Sequence, residues 1–406
     1  MKNKKIKDDS IVIENLDKIG EIAYYYGFTP FKVASLDKVD SGVIKQLIEK
    51  DEIYDSHSKI TIPLFIENKI AILRAYEKQN LGSLPQPVML YIKDQMKGIR
   101  KSNPPLYSEM HILGSSGSIA EATMIQMGLA TLSKLGFKDL SVEINSMGDK
   151  ESLSKFTREL NSIYRKNIND MSADDRQLLK SDPFDLLLSG SKTAEKVNSI
   201  APRFIDFLNE NNRKHLEEML EYMETLEIPY IINNQLIGSR LHPTETVFAI
   251  VQNQENQDKK NPRILAIGMR HSSLGKMMSL KRDIPGVSMF ILAENENASL
   301  KKDLKKVKKP IASFVQLGIE SKLLSLKVIE KLREVNIPLK VSLAKDRLGA
   351  QVSSIEKFHA PYSLIMGKRE AQDKSVIVRH QETYSQEIVH IDDLPEYMVK
   401  IEKKLK

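Results

Sequence analysis

The sequence LIGSRLHPTETVFAI, residues 236–250, decides the fold of this chain. Its second half, TETVFAI, alternates β-branched and apolar residues after Pro243, which predicts a strand that is entered through a turn. Two more strand-like runs, RILAIGM and GVSMFILA, follow at residues 263–269 and 286–293. Strands and helices do not alternate strictly here, as they would around a parallel sheet, so their order predicts an antiparallel sheet of the α+β class.

The chain divides into three predicted parts. Residues 8–300 form the sheet domain, and a mostly helical stretch at about residues 150–230 predicts an insertion packed on that sheet. The Lys-rich segment 301–310 is interpreted as a linker, either a solvated connector or a basic strip that faces RNA phosphates. Strands and helices then alternate over residues 311–406, which predicts a small mixed-sheet α/β domain.

Composition narrows the class of protein only partly. The chain has 406 residues, of which 41% are hydrophobic and 28% charged, as is usual for a globular protein of two or three domains. No run approaches the ~20 apolar residues that span a bilayer, so we expect no membrane segment. The sequence contains no Cys, which excludes disulfides and thiolate metal sites and favours a cytoplasmic location. A net charge of +7 permits RNA binding but is also typical of a Lys-rich proteome.

Several blocks of the sequence carry a family resemblance. They are RAY at residues 74–76, VEINSMGDKES at 142–152, the Thr and Val-Phe positions of TETVF at 244–248, and APYSLIMGKREAQDKSVIVRHQETYSQEIVHIDDL at 360–394. They resemble blocks of the histidyl-tRNA synthetase family, and taken in order they cover nearly the whole chain. The resemblance implies a class II aminoacyl-tRNA synthetase-like antiparallel core with a helical insertion, and a C-terminal anticodon-binding-like α/β domain. It also implies a homodimer that pairs near residues 28–36.

The arginines that hold ATP phosphates in this family are missing from the matching motifs. By resemblance, the arginine position of the second motif is Lys97, or Lys93 in an alternative register, and that of the third motif is Asn295. Glu294, beside it, is a remnant of the nucleotide site. Lys does not replace Arg well, because a planar guanidinium grips phosphate oxygens with two bonds whereas an ammonium is a point charge. Losing one such donor typically costs about 3–4 kcal/mol at the transition state.

The histidine-specific segments depart from the family in a similar way. The arginine of the histidine signature falls on Gly238, and Arg240 lies two residues later on the same face of a regular strand, as a possible substitute. Lys69 occurs where the family has a small Thr. Glu67 and Arg270 are interpreted either as remnants of the amino-acid pocket or as an ion pair that fills it.

Two further features have alternative interpretations. His242 and His271 lie in adjacent signature segments and are pocket remnants, but no third ligand with suitable spacing accompanies them, so no metal site is predicted. The segment SSGS at residues 115–118 precedes a helix, where it either caps the helix or offers N–H groups to an anion. Basic residues of the last domain are candidates for phosphate contacts with an anticodon loop: Lys340, Lys345, Arg347, Lys368, Arg369 and Arg379.

The leading hypothesis is a histidyl-tRNA synthetase-like protein that has lost aminoacylation and binds tRNA, another RNA or a protein partner. The alternative is a divergent but active histidine–tRNA ligase that uses Lys97, Arg240 and Glu67 as substitutes and requires ATP and Mg²⁺. A second alternative is a histidine-sensing regulatory subunit of the ATP phosphoribosyltransferase type. That family lacks the C-terminal domain, so residues 311–406 count against it.

Overall fold

The computed structural model describes residues 18–32, 40–48, 52–55, 60–63, 66–95, 106–238, 245–253, 263–293, 309–341 and 360–405. Seven of the predicted site positions lie outside these ranges: Lys97, Arg240, His242, Glu294, Asn295, Lys345 and Arg347. Most of the predicted linker also lies outside them. The boundaries of the domains and of the insertion therefore stay predictions.

The strands of the core domain form one large sheet and one small hairpin. They are β1 (Thr29–Pro30), β2 (Glu52–Asp55), β3 (Ile60–Pro63), β4 (Val88–Gln95), β5 (Leu106–Leu113), β6 (Leu140–Asn145), β7 (Tyr230–Ile232), β8 (Val247–Gln252), β9 (Arg263–Arg270) and β10 (Gly286–Ala293). β2 pairs with β3, and the other eight strands follow the order β1–β4–β5–β10–β9–β8–β6–β7. Pairing is antiparallel except at the two outermost pairs, β1–β4 and β6–β7. The prediction of an antiparallel α+β sheet is confirmed.

The helices of this domain are α1 (Lys18–Tyr25), α2 (Ser41–Ile48), α3 (Ile66–Lys78), α4 (Ile119–Lys134), α5 (Lys150–Lys166), α6 (Ala173–Ser181), α7 (Pro183–Leu187), α8 (Lys192–Asn198), α9 (Glu210–Thr225) and α10 (Leu274–Met277). Short 3-10 turns cover Leu81–Ser83, Ile168–Asp170 and Phe204–Phe207. Helix α5 begins at a side-chain cap, because the carboxylate of Asp149 accepts a hydrogen bond from the backbone N–H of Ser152 at 2.9 Å. Helices α5 to α9 thus lie between β6 and β7, where the sequence pattern is helical.

The two faces of the sheet pack against different elements. Val287 and Met289 of β10 belong to a core that includes residues of α1 and α4, and we call this side of the sheet the rear face. Side chains alternate along a strand, so Ser288 and Phe290 point to the opposite side, the front face. Phe290 packs there with residues of the helical insertion, and α3 covers β4 and β5 on the same side.

The C-terminal part is a five-stranded mixed sheet with helices. Its strands are β11 (Ala312–Gln316), β12 (Leu339–Val341), β13 (Tyr362–Met366), β14 (Ser375–His380) and β15 (Gln386–His390), in the order β12–β11–β13–β14–β15. The first three are parallel to one another, and β14 and β15 are antiparallel. Its described helices are α11 (Ile319–Glu334), α12 (Lys368–Gln372) and α13 (Leu394–Leu405). The predicted α/β class of this part is confirmed, although the sequence patterns did not predict α12 or α13.

Helix α11 joins the two sheet regions. Its buried residues belong to the same hydrophobic core as α1 and α4 on the rear face of the large sheet. The fully buried Tyr26 donates its hydroxyl to Glu330 of α11, and Glu330 in turn accepts from Arg333. Gln126 of α4 donates to the carbonyl of Leu326 at 3.2 Å. Burial and the nearby Glu330 raise the pKa of Tyr26 well above its usual value, so the hydroxyl stays protonated and able to donate.

Candidate active-site face

The first turn of α3 brings Lys69 onto the front face of the large sheet. Its side chain is 0% exposed, which is rare for Lys. The Nζ lies 3.3 Å from the Sδ of Met269 and 5.7 Å from the centroid of the Phe290 ring. An aromatic ring attracts a cation at that distance through its quadrupole. Where the resemblance has a small Thr, this chain therefore packs a long cationic side chain directly onto the sheet.

Glu67 and Arg270 do not meet. Glu67 lies on α3, which covers the front face. Arg270 is the register partner of Val287 and therefore points to the rear face, where α4 packs. The interpretation of these two residues as an ion pair was wrong, because the sheet lies between them.

The carboxylate partner of Arg270 is Glu121 of α4. The Nε and Nη2 of Arg270 both donate to this carboxylate, the first at 2.6 Å. The guanidinium also donates to the carbonyl oxygens of Ser115, at 2.9 Å, and Gly117, at 3.1 Å. Arg270 is 1% exposed and Glu121 0% exposed. This arginine therefore holds the loop before α4 against the sheet and is fully engaged in doing so.

The ion pair sets the charge state of Glu121. Burial alone would raise the pKa of this carboxyl, but Arg270 and His215 together lower it to about 2. The Nε2 of His215, on α9, lies 2.8 Å from the Glu121 carboxylate. The pKa of Arg270 is raised, because the attraction of Glu121 outweighs the effect of burial. Glu121 is the main functional residue that the sequence patterns did not reveal. A single Glu in the otherwise apolar run SIAEATMIQM was the available signal, but nothing in the spacing indicated its partner.

The predicted pocket residue His271 lies beside a second histidine that was not predicted. His271 is fully buried just after β9, and its ring centroid is 6.5 Å from that of His111 on β5. The absence of a side chain at Gly286 makes room for it, since a Cβ there would lie 2.7 Å from the Cε1 of His271. His242, the predicted neighbour of His271, lies outside the described residues.

Glu109 and Ser288 complete the polar groups under α3. The Oε1 of Glu109 lies 2.8 Å from the Nε2 of His111, and its Oε2 accepts a 2.9 Å hydrogen bond from Asn68. Ser288 is the register partner of His111 on β10. Ser, His and Glu are the residue types of a nucleophilic triad. All three are 0% exposed, however, so a substrate in solution does not reach them in this arrangement.

Gly238 is the residue that the resemblance aligns with the arginine of the histidine signature. It is buried, and its backbone N–H points at the Sδ of Met147 at 3.1 Å. With no side chain, this position offers no cation to a substrate carboxylate or phosphate. The nearby candidate for a substitute, Arg240, is not among the described residues.

The SSGS segment contacts the Arg270 guanidinium through its backbone carbonyls. Its carbonyl oxygens at Ser115 and Gly117 accept from Arg270. Ser118 occupies the N-cap position of α4 but makes no capping bond with its side chain, because its Oγ donates to Glu218 of α9 at 3.1 Å. The expectation of a side-chain cap was therefore wrong.

The predicted RNA contacts of the C-terminal domain fall into two separate groups. Lys340 and Arg379 lie in one row across the sheet, in register with Ser313 and Ser363 between them. Burial lowers the pKa of Lys340, and the Arg379 guanidinium carbon lies 4.9 Å from the Tyr384 ring centroid.

The second group lies at the other end of β13. Lys368 and Arg369 begin α12. Lys368 follows Ser363 by five residues, so the two residues are roughly 16 Å apart along the strand direction at ~3.3 Å per residue. Both side chains are strongly exposed, Lys368 3.5 Å from Glu320 and Arg369 3.8 Å from Asp373. Exposed pairs of this kind exchange readily for phosphate contacts, because such ion pairs contribute little.

The described residues offer neither a metal centre nor a membrane span. Within the described ranges, no group of three or more His, Asp or Glu side chains is arranged to hold a metal ion. No helix in the described part of the chain is long and apolar enough to cross a membrane.

Comparison with known proteins gives consistent matches. The chain is 27% identical over 334 residues to the histidine–tRNA ligase of Listeria monocytogenes (strain F2365), covering 80% of this chain and 77% of that protein. It is 22% identical over 396 residues to the histidine–tRNA ligase of Macrococcus caseolyticus, covering 94% and 93%. Residues 314–401 match the family model described as an anticodon binding domain. The crystal structure of apo S. aureus histidyl-tRNA synthetase superposes with a TM-score of 0.50 and 21% identity, covering 93% of this chain and 92% of that one.

The large antiparallel sheet, its helical insertion and the C-terminal α/β domain together define a class II aminoacyl-tRNA synthetase-like protein. Within that class the matches extend over most of the chain and agree with one another. These matches support membership of the histidyl-tRNA synthetase family.

Proposed function

We propose that this protein is a catalytically silent member of its family that acts by binding RNA, with tRNA as the first candidate. The observation that carries the proposal is Gly238, a buried glycine at the position of the signature arginine. Catalysis of acyl activation depends on preorganised donors where charge develops, and a glycine supplies no side-chain donor.

Two further contacts support the loss of aminoacylation. Arg270, which the sequence predicts as a remnant of the amino-acid pocket, makes its ion pair with Glu121 on the rear face. Lys69 packs against Met269 and Phe290 on the front face, where an open amino-acid pocket needs space.

The proposed interaction with RNA rests on the C-terminal domain. The family model that matches residues 314–401 is described as an anticodon binding domain. Lys368 and Arg369 are exposed at the start of α12, where they are able to contact phosphates. We infer that the protein acts as a cytoplasmic homodimer, as the resemblance implies. A protein partner is the second candidate for what it binds.

RNA binding is tested with tRNA transcripts over a range of salt concentrations. The double variant Lys368→Glu/Arg369→Glu is expected to bind at least tenfold more weakly and to reduce the salt dependence, since each lost phosphate contact lowers the slope by about one. Lys403→Glu/Lys404→Glu reverses the same number of charges at the end of α13 and is the matched control. Equal binding by both double variants and the unaltered protein would contradict the proposed RNA surface.

The competing hypothesis is a divergent active ligase. This hypothesis is favoured by the relatives, because the Macrococcus caseolyticus protein, which matches 94% of this chain, is named a histidine–tRNA ligase. An active site predicts tight binding of a non-hydrolysable histidyl-adenylate analogue, whereas the silent site predicts none. Isothermal titration with that analogue, alongside the Listeria monocytogenes ligase as positive control, separates the two hypotheses. Co-purification with a phosphoribosyltransferase would instead revive the regulatory-subunit alternative.

A further inference from the structure

Three polar side chains of the front face keep hydrogen-bonding atoms without partners. Glu109 and His111 lie two residues apart on β5, and Ser288 lies opposite His111 on β10. All three are 0% exposed. Within the described part of the chain, the Oγ of Ser288, the Oε1 of Glu109 and both ring nitrogens of His111 have no hydrogen-bond partner. The 2.8 Å approach of Glu109 to His111 is close but not aligned for a hydrogen bond.

Helix α3 closes these groups from above. Asn68 donates to the Oε2 of Glu109 at 2.9 Å, which satisfies that oxygen and fixes the carboxylate. Lys69 reaches Met269, the residue that pairs with Ser288 on its other side. The unpartnered atoms are therefore enclosed between the sheet and the first turn of the helix.

Leaving all of these atoms without partners is energetically costly. A buried donor or acceptor without a partner costs about 1–3 kcal/mol, and a whole domain is stable by only about 5–15 kcal/mol. Folded proteins meet this cost with ordered internal water, which typically makes about three hydrogen bonds to such groups. A bare metal ion is a poor alternative, because no three metal-binding side chains come together among the described residues.

We propose that Glu109, His111 and Ser288 form a sealed hydration site that holds an ordered water molecule. The water donates one hydrogen to the Oε1 of Glu109 and the other to the Nδ1 of His111, and the Nε2 of His111, 2.8 Å from that carboxylate oxygen, carries the ring proton. It accepts the hydroxyl hydrogen of Ser288. One molecule thereby satisfies three of the four unpartnered atoms. This proposal does not depend on the proposed loss of catalysis, because it uses only the contacts of buried side chains beneath α3.

The test compares Ser288→Ala with Ser108→Ala. Ser108 is also a buried strand serine with an unpartnered Oγ, but it lies on the rear side of β5, opposite Ile291 and beside Met110 in the apolar core. Removing a dry unpartnered hydroxyl is neutral or stabilising. Ser108→Ala should therefore leave the unfolding equilibrium unchanged or shift it towards the folded state. Ser288→Ala should raise the unfolded fraction at least about fivefold, since the water loses its bond to Ser288 and leaves the site.

Two direct measurements accompany the variants. Oxygen-17 magnetic relaxation dispersion counts long-lived internal waters, and this count should fall by one in Ser288→Ala and stay unchanged in Ser108→Ala. A high-resolution crystal structure should contain the water within hydrogen-bonding distance of Glu109, His111 and Ser288. A dry site in that crystal structure, or a Ser288→Ala variant at least as stable as the unaltered protein with no loss of water, would overturn the proposal.

Discussion

At the scale of single residues, the pair of Arg270 and Glu121 is the most consequential contact in the core domain. It joins β9 to α4, and through His215 it also reaches α9 of the insertion. Both members are almost completely buried, so each is stable as an ion only in the presence of the other. This role gives Arg270 a structural function in joining the sheet to α4. The ion pair with Glu121 accounts for the position of the Arg270 side chain without a bound histidine.

Breaking this pair should destabilise the protein strongly. Glu121→Ala leaves the Arg270 guanidinium buried without its counter-ion, and we expect a loss of about 3–5 kcal/mol in the free energy of unfolding. Glu151→Ala removes the partner of Lys155 in an exposed pair on α5 and should cost less than about 1 kcal/mol. Denaturant unfolding of both variants gives the comparison. Similar losses in the two variants would show that the buried pair has no special importance.

The same carboxyl predicts how stability depends on pH. The folded-state pKa of Glu121 is about 2, below its ordinary value of 4.5, so its contribution is fully present above pH 4.5. That contribution, about 3 kcal/mol, is lost as the pH falls from 4.5 towards 2, because the unfolded chain binds the proton more readily. Glu121→Gln has no such proton to bind. Its unfolding free energy should therefore fall less over this interval, and identical pH profiles for the two proteins would exclude the effect.

At the scale of elements, close packing between neighbouring strands and helices requires glycine at two positions in the core domain. Gly268 of β9 lies beneath the Phe248 ring of β8, and a Cβ at Gly268 would approach that ring to 2.2 Å. Gly128 of α4 is similarly close to Ile250, at 2.6 Å. Gly268 lets strands β8 and β9 pack closely on the rear face, and Gly128 lets α4 approach the sheet there.

Gly268→Ala is expected to destabilise the protein by about 1–3 kcal/mol, because the Phe248 ring must leave its position in a closely packed core. Gly42→Ala is the matched control, since Gly42 lies on α2 and a methyl group added there would meet no atom within 4 Å. That change should stabilise the helix by up to about 1 kcal/mol. Thermal unfolding of both variants measures the difference, and equal melting temperatures would refute the packing argument.

Much of the fold could be predicted from sequence because strand and helix patterns are local. The VFAI part of TETVFAI lies in β8, RILAIGM and GVSMFILA lie in β9 and β10, and the predicted helix that begins near residue 118 is α4. Contacts across the sheet could not be predicted in the same way. Nothing local indicates which face of β9 Arg270 points to, so its pairing with Glu67 was inferred and Glu121 was missed.

The polar groups beneath α3 show the same limitation. His111 and Glu109 are ordinary strand residues in sequence, and their proximity to His271 and Ser288 depends on the strand order β5–β10–β9. By contrast, the assignment of Gly238 to the signature arginine rests on sequence alone and stays a prediction. The partners of buried polar residues depend on the tertiary fold, so sequence patterns did not reveal them.

At the scale of the whole molecule, the C-terminal domain is fixed to the core by α11. One hydrophobic core extends from α1 and α4 to α11 and the C-terminal sheet. The buried Tyr26 and the partly buried Glu330 and Arg333 form a polar contact at its edge, and Gln126 adds a hydrogen bond to the α11 backbone. A shared core predicts that the two regions unfold together and that RNA bound by the C-terminal domain has a fixed orientation relative to the front face.

Tyr26→Phe tests this coupling. The variant loses the hydroxyl that reaches Glu330, at a cost of about 1–2 kcal/mol, and hydrogen exchange should increase in α1 and α11 together. Tyr164→Phe loses a comparable buried hydroxyl, which donates to Asn198 at 2.6 Å inside the insertion. Its increase in exchange should stay within α5 to α8. Faster exchange confined to α1 in Tyr26→Phe would indicate that the domains are not coupled through this contact.

The loss of catalysis is tested most directly by histidine-dependent exchange of radiolabelled pyrophosphate into ATP. The assay isolates amino-acid activation, the step for which the proposal holds that the arginines aligned with Gly238 and with the nucleotide motifs are needed. With the Listeria monocytogenes histidine–tRNA ligase as positive control under the same conditions, we predict exchange by this protein indistinguishable from a reaction without enzyme. Exchange that requires histidine and saturates with its concentration would contradict the proposal and identify the protein as an active ligase.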